Sequence, residues 1–278
     1  MAVDTFDRRL VKPAEGLRFA DDEDDFSDFP RREGLSWYAE KVADMLATIA
    51  RGFMLITGEP GAGKDLFAVS TCSLFKYIFG RKIILDFLPR RAFGEYTLMN
   101  TATIIEKITE IAKSLRVGGI ENSNDSKELA QFMEEAVVTW LLEGEGYEIF
   151  KGAVYYISEL KKVAYNRNPM SRTNKFIGTL GTVWRHLDLL CMGTHVKENE
   201  IDVKAFLEYA KLRAFCKQTM TPNVCKAVVI RGVYAGSDFV VSNVLMKPLV
   251  FYIDGNEPRD FLGGKRFFDL YKSKHMHF

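Results

Sequence analysis

The stretch GEPGAGKD, Gly58 to Asp65, sets three glycines, a lysine and a carboxylate within eight residues. Glycines at 58, 61 and 63 let backbone N–H groups turn inward toward an anion. Lys64 adds a point charge, and a helix starting there would aim its positive end at the same spot. Gly58, Glu59, Pro60, Gly61, Ala62, Gly63, Lys64, Asp65 and Leu66 therefore read as a phosphate-binding loop. One position departs from the pattern GxxxxGK(S/T): the hydroxyl that holds magnesium is replaced by Asp65.

The missing hydroxyl has a candidate elsewhere. Phosphate-loop enzymes place an acid for the metal at the end of a second apolar strand. The candidate strand here is AVYYI (153–157), and it runs into Ser158 and Glu159. The hydroxyl stands where the acid belongs, and the acid stands in the loop. The expectation is a reciprocal swap, with Asp65 and Ser158 hydrogen-bonded to each other and sharing Mg2+. Glu159 then polarises the water that attacks the γ-phosphate of ATP. Thr194, at the end of another apolar run, is the candidate γ-phosphate sensor, with His195 beside it.

The elements that must position these groups are legible in part. FMLIT (53–57) is a short apolar run that ends in the glycine loop, and DLFAVSTCSLFKYIF follows as a helix. KIILDF (82–87), AVYYI and LDLLCMGT (187–194) read as further strands. Helices are expected over 36–50, 101–115, 127–143 and 176–186, and also over VKAFLEYAKLRAFCK (203–217). The remainder, KAVVIRGVY, SDFVVSNVL and LVFYIDG, reads as strands. This order implies an α/β fold: a mostly parallel sheet flanked by helices, with a C-terminal antiparallel β extension. The domain expectation is an acidic flexible arm over 1–34, an ATPase domain over 35–255 and a tail over 256–278.

Composition excludes little. With 38 basic and 37 acidic residues the net charge is +1, so any nucleic-acid surface must be local. The four cysteines are scattered with no C-x-x-C, which fits reduced thiols rather than a zinc site. No apolar run is long enough to span a membrane, and the N-terminal stretch lacks the pattern of a signal peptide. A cytoplasmic chain is expected.

Taken together, GEPGAGKD, YYISEL, VWRHLDLLCMGTHVKENEID and FFDLYKS follow the motif order of the FtsK/HerA-type motor ATPases. The chain resembles the branch of zonular-occludens-toxin-like phage proteins and viral genome-packaging ATPases, over roughly 53–273. That family carries Ser or Thr at position 65, Asp at 158 and Gln at 195, so all three positions depart. The resemblance implies a P-loop NTPase fold of the RecA/HerA kind, acting as a pentameric or hexameric ring on double-stranded DNA. It implies a capsid portal or other virion component as partner. The stretch after Thr194 leaves little room for a nuclease domain. The resemblance also implies an arginine supplied by the neighbouring subunit, with Arg185, Arg167 and Arg172 as candidates. Flexible basic loops would grip DNA: Lys161, Lys162, Arg167, Arg172 and Lys175 after the acid strand, or Arg90 and Arg91. A related expectation is an assembly or secretion ATPase that does not move DNA.

Overall fold

The computed structural model describes residues 12–13, 33–117, 126–168, 171–196, 200–235, 238–241 and 246–271. The acid-rich part of the expected arm and the residues after 271 lie outside these. The strands are β1 (Lys12–Pro13), β2 (Gly52–Thr57), β3 (Lys82–Leu85), β4 (Thr97–Leu98), β5 (Ala153–Ile157) and β6 (Leu190–His195). They continue with β7 (Leu212–Gln218), β8 (Val224–Ala235), β9 (Asp238–Val241), β10 (Leu249–Asp254), β11 (Pro258–Arg259) and β12 (Lys265–Arg266). The helices are α1 (Trp37–Thr48), α2 (Lys64–Phe79), α3 (Thr101–Val117), α4 (Ser126–Glu143), α5 (Glu145–Phe150) and α6 (Arg172–Val183).

Ten strands form one sheet in the order β1-β9-β8-β7-β2-β6-β5-β3-β4, with β10 also paired to β8. From β4 to β7 every pairing is parallel, and β8, β9 and β10 make the antiparallel extension. The fold class is therefore the expected one. β6 lies between β2, which carries the glycine loop, and β5, which carries Ser158 and Glu159. Lys12–Pro13 pairs in parallel with β9, so this part of the arm is attached to the sheet.

The expected helix over 203–217 is not there. Its first part is a five-residue π turn, Val203–Leu207, and its second part is strand β7. β7 lies between β2 and β8, and Leu212, Arg213 and Ala214 are all buried. Backbone pairing on both edges and cover on both faces override the helical spacing of its apolar residues.

Strand alternation sorts side chains between two cores. Met54, Ile56, Val154, Tyr156 and Met192 point to the layer of α1 and α2, whereas Phe53, Leu55, Tyr155 and Ile157 face the layer of α3 to α6. Tyr156 therefore points toward the helix that follows the glycine loop. The stretch expected as a tail contributes Phe267, Leu270 and Tyr271 to the first core. At the starts of the central strands, buried Arg81 donates to the carbonyls of Ala50, Gly152, Ala153 and Asp188. Burial lowers its pKa to about 10, and the guanidinium ties together the starts of β2, β5 and β6. Among the described residues, no helix is long and apolar enough to cross a membrane.

Candidate nucleotide site

The loop is shaped by contact with the strands beside it. Gly63 has φ 86°, and a Cβ there would meet the Cys225 Cβ at 2.7 Å. A Cβ on Gly58 would lie 2.5 Å from the Cys216 carbonyl oxygen. β7 and β8 thus press on the loop, and only glycine fits at either point. The Cys225 thiol donates to the Ala62 carbonyl at 3.3 Å, which fixes the loop further. Gly63 caps α2 without a side-chain hydrogen bond, so the amides of the first turn remain directed at the loop. Lys64 Nζ donates to the carbonyls of Gly58 and Glu59, each at 2.8 Å, and burial lowers its pKa. Leu66 is buried behind them.

The expected bond between Asp65 and Ser158 does not form. The Tyr156 phenol donates to Asp65 Oδ1 at 2.7 Å. Ser158 pairs instead with Asp86, just past β3: its N–H donates to Oδ1 at 2.8 Å and its hydroxyl to Oδ2 at 3.1 Å. The reason is strand order. β5 lies against β3 with Leu85 beside Tyr156, so Asp86, the next residue on one strand, comes within reach of Ser158, two residues on along the other. Burial raises the Asp86 carboxyl pKa, while the Ser158 amide and the Lys162 charge act against that rise. Burial, followed by the Asp65 charge and hydrogen bond, pushes the Tyr156 phenol well above its ordinary value. It stays a neutral donor.

Thr194 is buried on β6, and its hydroxyl donates to the Ser158 carbonyl. Glu159 is exposed, in extended backbone, at the mouth of the same cavity. His195 Nε2 lies 3.3 Å from the Glu200 carboxylate, which Lys161 Nζ also approaches at 3.2 Å. Burial lowers the His195 pKa, with Glu200 opposing the shift.

A cavity of about 670 Å³ joins these groups, with Lys64, Asp65, Ser158, Glu159, Thr194 and Tyr271 among its walls. The volume suits a nucleotide-sized ligand. Its oxygen donors suit magnesium in type. Ser158 Oγ already donates to Asp86 and accepts from Lys162 at 3.3 Å, which leaves one lone pair for a cation.

The basic cluster after β5 is split up. Lys162 lines the cavity, and Lys161 turns away to Glu200. Arg167, Arg172 and Lys175 are exposed, with Arg172 donating to Thr109 at 3.3 Å. This segment is not a free loop over its described length. The Asn174 side chain bonds both the N–H and the carbonyl of Tyr165, and Val163 and Ala164 are buried. Arg185 lies in the turn before β6, over the Trp184 ring at 5.5 Å. That turn is at the strand ends opposite the glycine loop, and Arg185 does not line the cavity described above. Sequence reading missed Asp86 and Tyr156. The only local signal for Asp86 was an acid closing the apolar run KIIL.

A glycine loop that closes a central parallel strand, with a lysine on the next helix and an acid two strands away, defines the P-loop NTPase fold. This chain has that fold. No family model matches it, and no curated protein matches it in sequence. Among solved structures it is similar to the N-terminal domain of zonular occludens toxin from Neisseria meningitidis. The identity is 16%, over 80% of this chain and 100% of that one, with a TM-score of 0.43. It is also similar to another solved ATPase domain, at 12% identity over 81% and 86% of the two chains, TM-score 0.38. A third likeness is to the genome packaging NTPase B204 from Sulfolobus turreted icosahedral virus 2 in complex with AMP. There the identity is 11% over 63% and 78%, with a TM-score of 0.35.

Proposed function

We propose that this chain hydrolyses ATP at the loop from Gly58 to Leu66 and uses the energy to move double-stranded DNA. The working form is a ring of five or six copies, as in a phage or viral genome-packaging motor docked on a portal. The observation that carries the hydrolase reading is the cavity that holds Lys64 and Glu159 together. The DNA reading is supported by the order of the sequence motifs and by Arg167, Arg172 and Lys175, exposed beyond the acid-bearing strand.

Lys64 and the loop amides hold the β- and γ-phosphates. Glu159 takes the proton from a water whose oxygen attacks the γ-phosphorus, and the bond to the ADP oxygen breaks. Thr194, tied to the Ser158 carbonyl, fixes the end of β5 so that Glu159 faces the attack position. Asp65 and Ser158 are the side chains that would hold Mg2+, which when bound neutralises charge on the phosphate oxygens.

The test is steady-state ATP hydrolysis with and without long double-stranded DNA, with Lys64→Ala as the blank. The expected result is stimulation by DNA that fades as salt is added, because backbone contacts release counterions. Hydrolysis indifferent to DNA would contradict translocation and favour an assembly or secretion ATPase.

A further inference from the structure

Lys162 is the one member of the basic cluster after β5 that lines the cavity. Its backbone is firmly placed. It ends the 3-10 turn Leu160–Lys162, and its N–H donates to the Glu159 carbonyl at 3.0 Å. Leu160 anchors that turn from within: it is fully buried, and its Cδ2 would lie 2.3 Å from any Cβ added at Gly193 of β6. Only the side chain is free to swing, being half exposed. Its ammonium donates to Ser158 Oγ at 3.3 Å and lies 3.9 Å from the Glu159 carboxylate. A cation thus rests against the hydroxyl and the acid assigned to the γ-phosphate end of the site.

We propose that Lys162 is a second phosphate-binding lysine, one that reads the γ-phosphate and so tells a nucleoside triphosphate from a diphosphate. This rests on the nucleotide reading given above. Lys64 sits over the loop, where a diphosphate and a triphosphate both bind. Lys162 reaches the cavity from the turn after the acid-bearing strand, beside the Glu159 assigned to the γ-phosphate end, where on this proposal only the third phosphate arrives. The γ-phosphate offers several anionic oxygens in place of the weakly held Glu159 carboxylate and the more distant charge of Asp86, so the ammonium transfers to it. Two consequences follow for the site. The triphosphate gains a contact that the diphosphate lacks, and Glu159 loses its cation and is released to accept the proton of the attacking water. Lys162 thereby belongs to the nucleotide site rather than to a DNA-gripping surface.

The experiment is equilibrium binding of ADP and of a methylene-bridged, non-hydrolysable ATP analogue to the full chain. The proteins compared are the wild type, Lys162→Gln, Lys162→Arg and Lys64→Ala, with the thermal midpoint of each checking the fold. The expected result for Lys162→Gln is an unchanged ADP affinity and a triphosphate affinity about tenfold weaker or more, partly restored by Lys162→Arg. Lys64→Ala should weaken both ligands. Equal affinities of wild type and Lys162→Gln for the analogue would overturn the proposal and leave the nucleotide reading intact. Equal weakening of both ligands by Lys162→Gln would also overturn it. Failure of the wild type to bind either nucleotide would overturn the nucleotide reading itself, and this proposal with it.

Discussion

The Tyr156 phenol donates a 2.7 Å hydrogen bond to the Asp65 carboxylate, linking the acid-bearing strand to the first turn of the loop helix. In the usual pattern position 65 carries a small hydroxyl that holds the metal. Here a carboxylate fills it, and a buried tyrosine holds that carboxylate in place.

Removal of that bond by Tyr156→Phe preserves the ring and its packing. The expected cost is roughly 1–3 kcal/mol of stability, since one hydrogen bond to a charged acceptor is lost. Urea unfolding measures it. A denaturation midpoint equal to that of the wild type would show that solvent in the cavity replaces the phenol.

Exchange of the two anomalous residues should fail. Asp65→Ser alone is expected to lower ATP turnover by about tenfold or more, as for loss of one charge-assisted contact. Asp65→Ser with Ser158→Asp should not restore it, because the new carboxylate would face Asp86, where Ser158 now bonds at 3.1 Å. Like charges at that range repel. Addition of Asp86→Asn to the pair should recover part of the turnover. Full recovery in the double variant would show that Asp86 exerts no such repulsion.

His195 gives the pH dependence a sign. Burial holds its pKa below the ordinary 6.5, so the folded chain takes up this proton less readily than the unfolded chain. Its share of stability is complete above pH 6.5 and is lost as pH falls through the lowered folded value. His195→Gln removes that contribution. Unfolding measured from about pH 7.5 down to about 5 should therefore show a shallower acid decline in the variant. Parallel curves would place the acid sensitivity elsewhere.

The loop, the helix behind it and the acid-bearing strand were legible because their signals are local. GEPGAGKD follows an apolar run directly, and YYISE carries its acid at the strand end. Asp86 and Tyr156 were not legible as site residues. Tyr156 reads as one more apolar position in AVYYI, and its role arises from the strand alternation that aims it at Asp65. Asp86 gains its role from the pairing of β3 with β5, between segments about 70 residues apart. β7 was misread because Leu212–Gln218 continues a helical spacing of apolar residues. Arg213 illustrates the override: it is buried, with its guanidinium 3.9 Å from the Phe239 ring centroid. Such a site exists only once β8 and β9 are in place.

The proposed hydrolysis turns on Glu159 activating water over a nucleotide held by the Gly58 to Leu66 loop. The most direct measurement is single-turnover ATP hydrolysis by Glu159→Gln, alongside ATP binding by the same protein. Glu159 is exposed at the cavity mouth, so the substitution should leave the fold intact and ATP affinity no weaker than in the wild type. Intact binding with hydrolysis slower by about 10²- to 10⁴-fold is the predicted result. Hydrolysis at the wild-type rate, with binding intact, would contradict it.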